Sequence, residues 1–148
     1  MIAYTIDQEI KQAMLAKDQA KLRGLRAIKA AILLAKTEKG HAEELTEEAE
    51  MKILQRLVKQ RKESAAIYKE QGRDDLFTVE QEEIEVINQF LPQQLDSEAI
   101  AKVVARIITE TGASSIKDMG KVMGLANKEL AGKADGKLIG ELVKTQLG

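Results

Sequence analysis

An all-α fold follows from three features of the sequence: a helix-forming composition, apolar residues recurring at three- and four-residue spacing, and the lack of any sustained alternating apolar pattern. Ala, Leu, Ile, Lys and Glu abound, 32% of residues are charged and only 3% are aromatic, so the core must be aliphatic. A chain of 148 residues has room for one ordinary domain or two small ones.

The first helix is expected over residues 6–18, with Asp7 and Glu9 near its positive N-terminal end. A second is expected over residues 19–39, carrying Leu22, Leu25, Ile28 and Ile32 at helical spacing and stopped by Gly40. A polar connection with an exposed His41 leads to Thr46, whose hydroxyl suits an N-cap while Glu47 and Glu48 face the helix dipole. The third helix, 46–71, sets Leu54, Leu57, Val58, Ala65 and Tyr68 on one side and ends at Gly72 as a left-handed cap. Thr78 and Gln81 fit a capping box opening a fourth helix lined by Ile84, Ile87 and Leu91. Pro92, the only proline, cannot sit within a continuing helix, so the boundary falls in residues 91–96.

Beyond it, Ile100, Val103, Val104 and Ile107 define a helix over 97–111, stopped by Gly112. Ser115 with Asp118 resembles a capping box for a short helix with Ile116, Met119, Val122 and Met123 inside. Asp135 suits the cap of the last helix, which buries Leu138, Ile139, Leu142 and Val143. The expected organisation is an N-terminal helical bundle over 1–91, a linker at 92–96 and a C-terminal three-helix domain over 97–148.

Composition also restricts the chemistry. Lys and Arg number 23 against 24 Asp and Glu, a formal charge of −1, so any site for a polyanion must be a local patch. Without Cys there is no disulfide, thiolate nucleophile or zinc–thiolate site, and His41 is the only imidazole. His and carboxylates are not expected to converge from separate helices at a recognisable ligand spacing, so neither catalytic residues, a metal nor a cofactor is expected. The N-terminus lacks a basic region followed by an apolar core, and no stretch approaches the ~18 apolar residues that span a bilayer. A soluble cytoplasmic protein is the expectation. The acidic runs "EELTEEAE" and "EQEEIE" fall at expected helix starts, where the dipole accounts for them. Lys52, Arg56, Lys59 and Lys62 or Glu63 form a partly basic stripe on the third helix, read as a solvated face.

The stretch "DMGKVMGLANKELAGKADGKLIGELVK" places glycines four apart at Gly120/Gly124, Gly132/Gly136 and Gly136/Gly140, although each helical glycine costs roughly 0.5–1 kcal/mol relative to alanine. Gly120 and Gly124 are expected to permit close helix contact, and Gly132 and Gly136 to shape the turn before the last helix, leaving its amides free. Lys117, Lys121, Lys128, Lys133 and Lys137 accompany them, and Gly136 and Lys137 lie where a helix begins, a position suited to an anion. Residues 113–148 hold six Lys against four acidic residues, a net of +2, whereas residues 1–91 hold 15 basic and 17 acidic, a net of −2. The segment "GKADGKL" differs from the nucleotide phosphate loop: three residues separate its glycines rather than four, Leu138 follows the lysine, and no strand leads in. Nucleotide hydrolysis is therefore excluded. The aromatics Tyr68, Phe77 and Phe90 are read as structural rather than as platforms for stacking bases.

Three blocks, "RKESAAIYKEQGRDDL" (61–76), "EIEVINQFLPQQLDSEAI" (83–100) and "KDMGKVMGLANKELAGKADGKLIGELVK" (117–144), closely resemble the YqeY family over nearly the whole chain. This GatB/YqeY group is related to the C-terminal tail of GatB, the subunit of glutamine-dependent aspartyl/glutamyl-tRNA amidotransferase that carries a tRNA-binding helical tail. The resemblance implies an all-α fold with an N-terminal bundle and a small three-helix C-terminal domain. It makes Lys117, Lys121, Lys133 and Lys137 candidates for phosphate contact, and lysine amines suit that role chemically. It also implies tRNA or another structured RNA as partner, alongside a protein of the translation or aminoacylation machinery. Family kinship attaches a carbon–nitrogen ligase activity with glutamine as amido donor, which is not expected of this chain alone because the kinase, transamidation and glutaminase parts have no room here. A protein–protein adaptor using the charged helices of residues 46–91 is the alternative.

Overall fold

The computed structural model describes residues 1–38 and 45–148. The helix stop expected at Gly40 and the exposed imidazole expected at His41 lie outside the described residues. Seven α-helices and one short 3₁₀ turn make up the regular structure, with no strand among the described residues: α1 (Ile2–Leu15), α2 (Gln19–Glu38), α3 (Glu47–Glu70), α4 (Asp74–Asn88), α5 (Ser97–Thr111), the turn Ile116–Asp118, α6 (Met119–Glu129) and α7 (Gly136–Leu147). They gather into two compact units, Met1–Leu91 and Pro92–Gly148.

In the first unit α4 packs against both α2 and α3, while α1 packs on α2. The core is aliphatic, centred on Leu25, Ile28, Leu54 and Ile87, which are fully buried. Gly24 sets the α2–α4 approach, since a Cβ there would lie 2.6 Å from Val86 Cγ1 and 2.7 Å from its Cβ. Thr46 caps α3 as expected, its hydroxyl accepting the Ala49 amide at 3.1 Å. Gly72, at φ 72°, closes the other end. There Arg73 N–H donates to Tyr68 O at 2.9 Å and Gly72 N–H to Lys69 O at 3.2 Å, the pairing of a Schellman motif. Lys17 holds the same left-handed conformation after α1, at φ 57°.

Two helix starts differ from the sequence expectation. α1 begins at Ile2 rather than at residue 6, so Asp7 and Glu9 lie beyond its first turn, pairing instead with Lys29 at 2.5 Å and Lys21 at 3.6 Å. Its exposed amides are served by a distant carboxylate. Glu50 of α3 accepts from Ile2 N–H at 3.1 Å and from Ala3 N–H at 2.9 Å, one through each oxygen. With 1% exposure it is the one charged side chain buried among the described residues. The fourth helix, in turn, begins at Asp74, because the Gly72 turn leads straight into a new helix with Asp74 and Asp75 in its first turn. Thr78 is consequently interior to α4, its hydroxyl donating back to Asp74 O at 2.9 Å, and no capping box forms there.

In the second unit α5, α6 and α7 enclose Ile100, Val104, Val122, Ala126, Ile139 and Val143. Asp96 caps α5 by accepting the Ala99 amide at 2.8 Å, and Gly112 ends it at φ 69°. Residues before α5 are tied to the α6–α7 turn: Leu95 N–H donates to Lys133 O at 2.9 Å and Gln94 Nε2 to Gly132 O at 2.6 Å. The Ser115–Asp118 capping box is present, but it starts a 3₁₀ turn. Its three-residue period shifts the register, leaving Ile116, expected inside, 49% exposed.

Replacing Glu50 by Gln should lower unfolding free energy by about 1–3 kcal/mol, since a charged acceptor serving two amides is exchanged for a neutral one. Urea denaturation measures this loss, and hydrogen exchange of the α1 N-terminal amides should accelerate alongside it. Glu80 offers a pH test. Burial foremost, and then the like charge of Glu83, raise its pKa from the ordinary 4.5, with Arg61 opposing. The native state thus holds that proton more tightly than the unfolded chain, so stability falls as pH rises from about 4.5 through the raised value. Glu80→Gln should raise Tm at pH 7 and lose that advantage at pH 4, as read by thermal melts at both.

Candidate nucleic-acid interface

The solvent face of α6 is where the lysines concentrate. Val122 and Ala126 point into the core and fix the helix orientation. Lys121, Gly124 and Lys128 follow at spacings of three and four, so they share the opposite, exposed strip, while Lys117 is exposed in the 3₁₀ turn just before the helix. From Lys121 to Lys128 the helix rises about 10.5 Å. No carboxylate pairs with any of these lysines among the described residues, although α5 of the same unit is rich in ion pairs. Asp118 is occupied by the Ser114 and Ser115 amides at 3.0 and 3.4 Å, and Glu129 by Arg106. Arg106 bridges Glu110 and Glu129, and those hydrogen bonds raise the guanidinium pKa further, Glu129 contributing most.

The other candidates belong to different elements. Lys133 lies in the turn between α6 and α7, with an exposed side chain and a main chain bonded to Leu130 and Leu95. Gly132, at φ 75°, supplies the left-handed residue of that turn. Gly136 and Lys137 open α7 and are exposed. The structure therefore groups Lys121 and Lys128 on one strip of α6, with Lys117 in the 3₁₀ turn before it, and places Lys133, Gly136 and Lys137 at the following turn and helix start.

Two expectations about this region are corrected. The opening of α7 is not left free: Asp135 Oδ1 accepts the Lys137 amide at 3.2 Å, and its carboxylate already complements the helix dipole. A phosphate there would meet like charge. Gly120 and Gly124 are not packing glycines either, because a Cβ at each would meet nothing within 4 Å. The same holds at Gly136, while Gly140 would make only ordinary contact with Met123 Cε at 3.7 Å. Close helix approach is instead the role of Gly24.

Sequence reasoning missed two apolar flanks of the lysine strip, Ile116 and Leu125, which are 49% and 43% exposed. The signal for Leu125 was its position off the buried stripe that runs through Val122, Ala126 and Leu130. Residues 92–148 contain no aromatic side chain, so this unit can engage a nucleic acid through its phosphates and not by stacking on bases. The basic stripe of α3 is exposed throughout, with Lys52 reaching Glu48 at 3.8 Å, as a solvated face should be. No group of three or more His, Asp or Glu among the described residues is arranged to hold a metal ion. No helix among them is long and apolar enough to cross a membrane.

Comparison with known proteins decides the family. The model for the family described as Yqey-like protein matches residues 3–147. The chain belongs to the YqeY family. A relative within reach of sequence comparison is altered inheritance of mitochondria protein 41, mitochondrial, of Clavispora lusitaniae, 31% identical over 127 residues, covering 83% of this chain and 72% of the relative. The YqeY match spans both compact units, so the lysine-bearing helix lies inside the family region.

The glycine assignments separate cleanly in a stability measurement. Gly120→Ala and Gly124→Ala should each stabilise by about 0.5–1 kcal/mol, since α6 gains helix propensity and meets no neighbour. Gly24→Ala should lose about 1–3 kcal/mol by overpacking against Val86, with urea midpoints as the readout.

Proposed function

We propose that this YqeY-family chain is a non-catalytic RNA-binding accessory module, with tRNA as the favoured substrate class. The observation that carries this reading is that Lys121 and Lys128 on one strip of α6, and Lys117 in the turn before it, stand exposed with no carboxylate paired to them among the described residues. Ammonium groups spaced along a rigid helix suit successive phosphates, and they supply affinity without reading bases. Lys133 and Lys137 extend the positive region past Asp135, whose charge makes their share smaller. Gly120 and Gly124 leave the strip low, so a sugar–phosphate backbone can approach the helix closely.

Kinship with the amidotransferase tail supports tRNA as the partner and the cytoplasmic translation machinery as the setting. In this reading the chain contributes binding to amide transfer and does not carry out carbon–nitrogen ligation by itself. The name of the fungal relative places that protein in mitochondria. A second reading, a protein-binding adaptor, is favoured by the exposed Ile116 and Leu125 beside the strip.

A filter-binding titration with tRNA tests the proposal. Three phosphate contacts predict an affinity loss of roughly 20- to 40-fold between 50 and 200 mM salt. Combined Lys117→Glu, Lys121→Glu and Lys128→Glu replacement should remove that salt-dependent binding, while the melting temperature stays near its original value because all three side chains are exposed. Salt-independent binding, or full affinity in the triple variant, would refute it.

A further inference from the structure

A side chain of α5 decides where the carboxylate at the end of α6 points. The guanidinium of Arg106 is divided between two acceptors: Nη1 donates to both oxygens of Glu110, at 3.3 and 3.2 Å, and Nη2 donates to Glu129 Oε1. Glu110 stands four residues further along the same helix, so that pair forms within α5 and orients the planar fork. The second nitrogen is then aimed across at α6.

Folding gains little from so exposed a bridge, since Arg106 and Glu129 each keep 45% of their side-chain surface in water, which competes for both charges. Its consequence for local charge is greater. Glu129 is the last residue of α6, directly after Lys128 and four before Lys133. Asp118 and Asp135, which also adjoin lysines, are held by main-chain amides of their own segments, whereas Glu129 is held by a side chain from another helix. Without Arg106 an uncompensated negative charge would stand beside Lys128, on the approach of a phosphate to that lysine. In water, a unit charge about 7 Å from a phosphate alters its binding by about threefold, and by less as salt screens it.

We propose that Arg106 is a positioning residue for phosphate contact, an inference that rests on the RNA reading above. It draws the Glu129 carboxylate toward α5 and compensates its charge, which leaves Lys128 free to meet the RNA. Arg106 acts through Glu129 and not by touching the ligand.

Filter binding of tRNA to the full chain at 50 mM salt, with four variants, tests this role. Arg106→Gln should bind about two- to threefold more weakly than the unsubstituted chain, and Glu129→Gln at least as tightly as it. Combining Arg106→Gln with Glu129→Gln should restore the starting affinity. Combining Arg106→Gln with Glu98→Gln should not, although the net charge is the same, because Glu98 lies in the first turn of α5 beside Lys102. A merely structural bridge predicts the opposite, since the Glu129 double variant lacks both of its partners. Full affinity in Arg106→Gln, no recovery in the Glu129 double variant, or equal recovery through Glu98 would overturn the assignment and leave RNA binding standing. Absence of salt-sensitive binding by the unsubstituted chain would overturn both.

Discussion

A buried carboxylate fastens the first helix. Glu50 is taken out of water almost completely, a change that costs several kcal/mol for an unpaired ion. It is tolerated because both oxygens accept main-chain amides at the start of α1, where the helix dipole adds favourable charge. One interaction thus satisfies two groups that would otherwise be stranded, and it links α1 to α3 across 47 to 48 residues of sequence. The aliphatic core depends on such fastening. With no disulfide and few aromatics, the first unit relies on correct helix placement, and the approach of α2 to α4 at Gly24 supplies the second fixed point.

This division between local and distant constraints explains what could be read from the sequence. Thr46, Gly72, Gly112 and Asp135 announce helix ends through bonds to residues a few positions away, so spacing alone located them. The start of α1 could not be found that way, because its partner is Glu50. A clue was present: Glu50, Leu54 and Val58 recur at intervals of four, which sets a carboxylate on a buried stripe and demands a partner for it. Thr78 was misleading for a related reason. Its capping-box pattern is real in sequence, but the Gly72 turn had already restarted the helix at Asp74. The glycines of α6 looked like packing residues because spacing specifies a shared face and says nothing about whether another helix lies opposite. The lysines are the converse case: their residues were legible, whereas the placing of two on α6, one in the turn before it and two beyond it needed the fold.

Charge in the second unit is sorted rather than abundant. Its carboxylates are largely committed: Asp96, Asp118 and Asp135 accept main-chain amides, while Glu110 and Glu129 hold Arg106. The lysines of α6 are left facing solvent without such partners among the described residues. A chain with a formal charge of −1 can therefore present a positive strip, because its negative groups are consumed by the architecture. The same accounting weakens helix starts as anion sites, since the acidic caps already occupy them. In the proposed RNA contact side-chain ammonium groups carry the attraction, which makes it short-ranged and sensitive to salt.

The few phosphate contacts proposed for this chain imply modest affinity, and a near-neutral chain adds no long-range steering. Weak sites on one polypeptide need not act weakly. If an RNA and a protein already associate with each other, a chain that touches both converts its second contact into an intramolecular event at millimolar effective concentration. Neither surface then has to be strong or sequence-specific by itself. Selectivity would come from the requirement that both partners be present, which gives a chain with only weak contacts a physical route to a defined role.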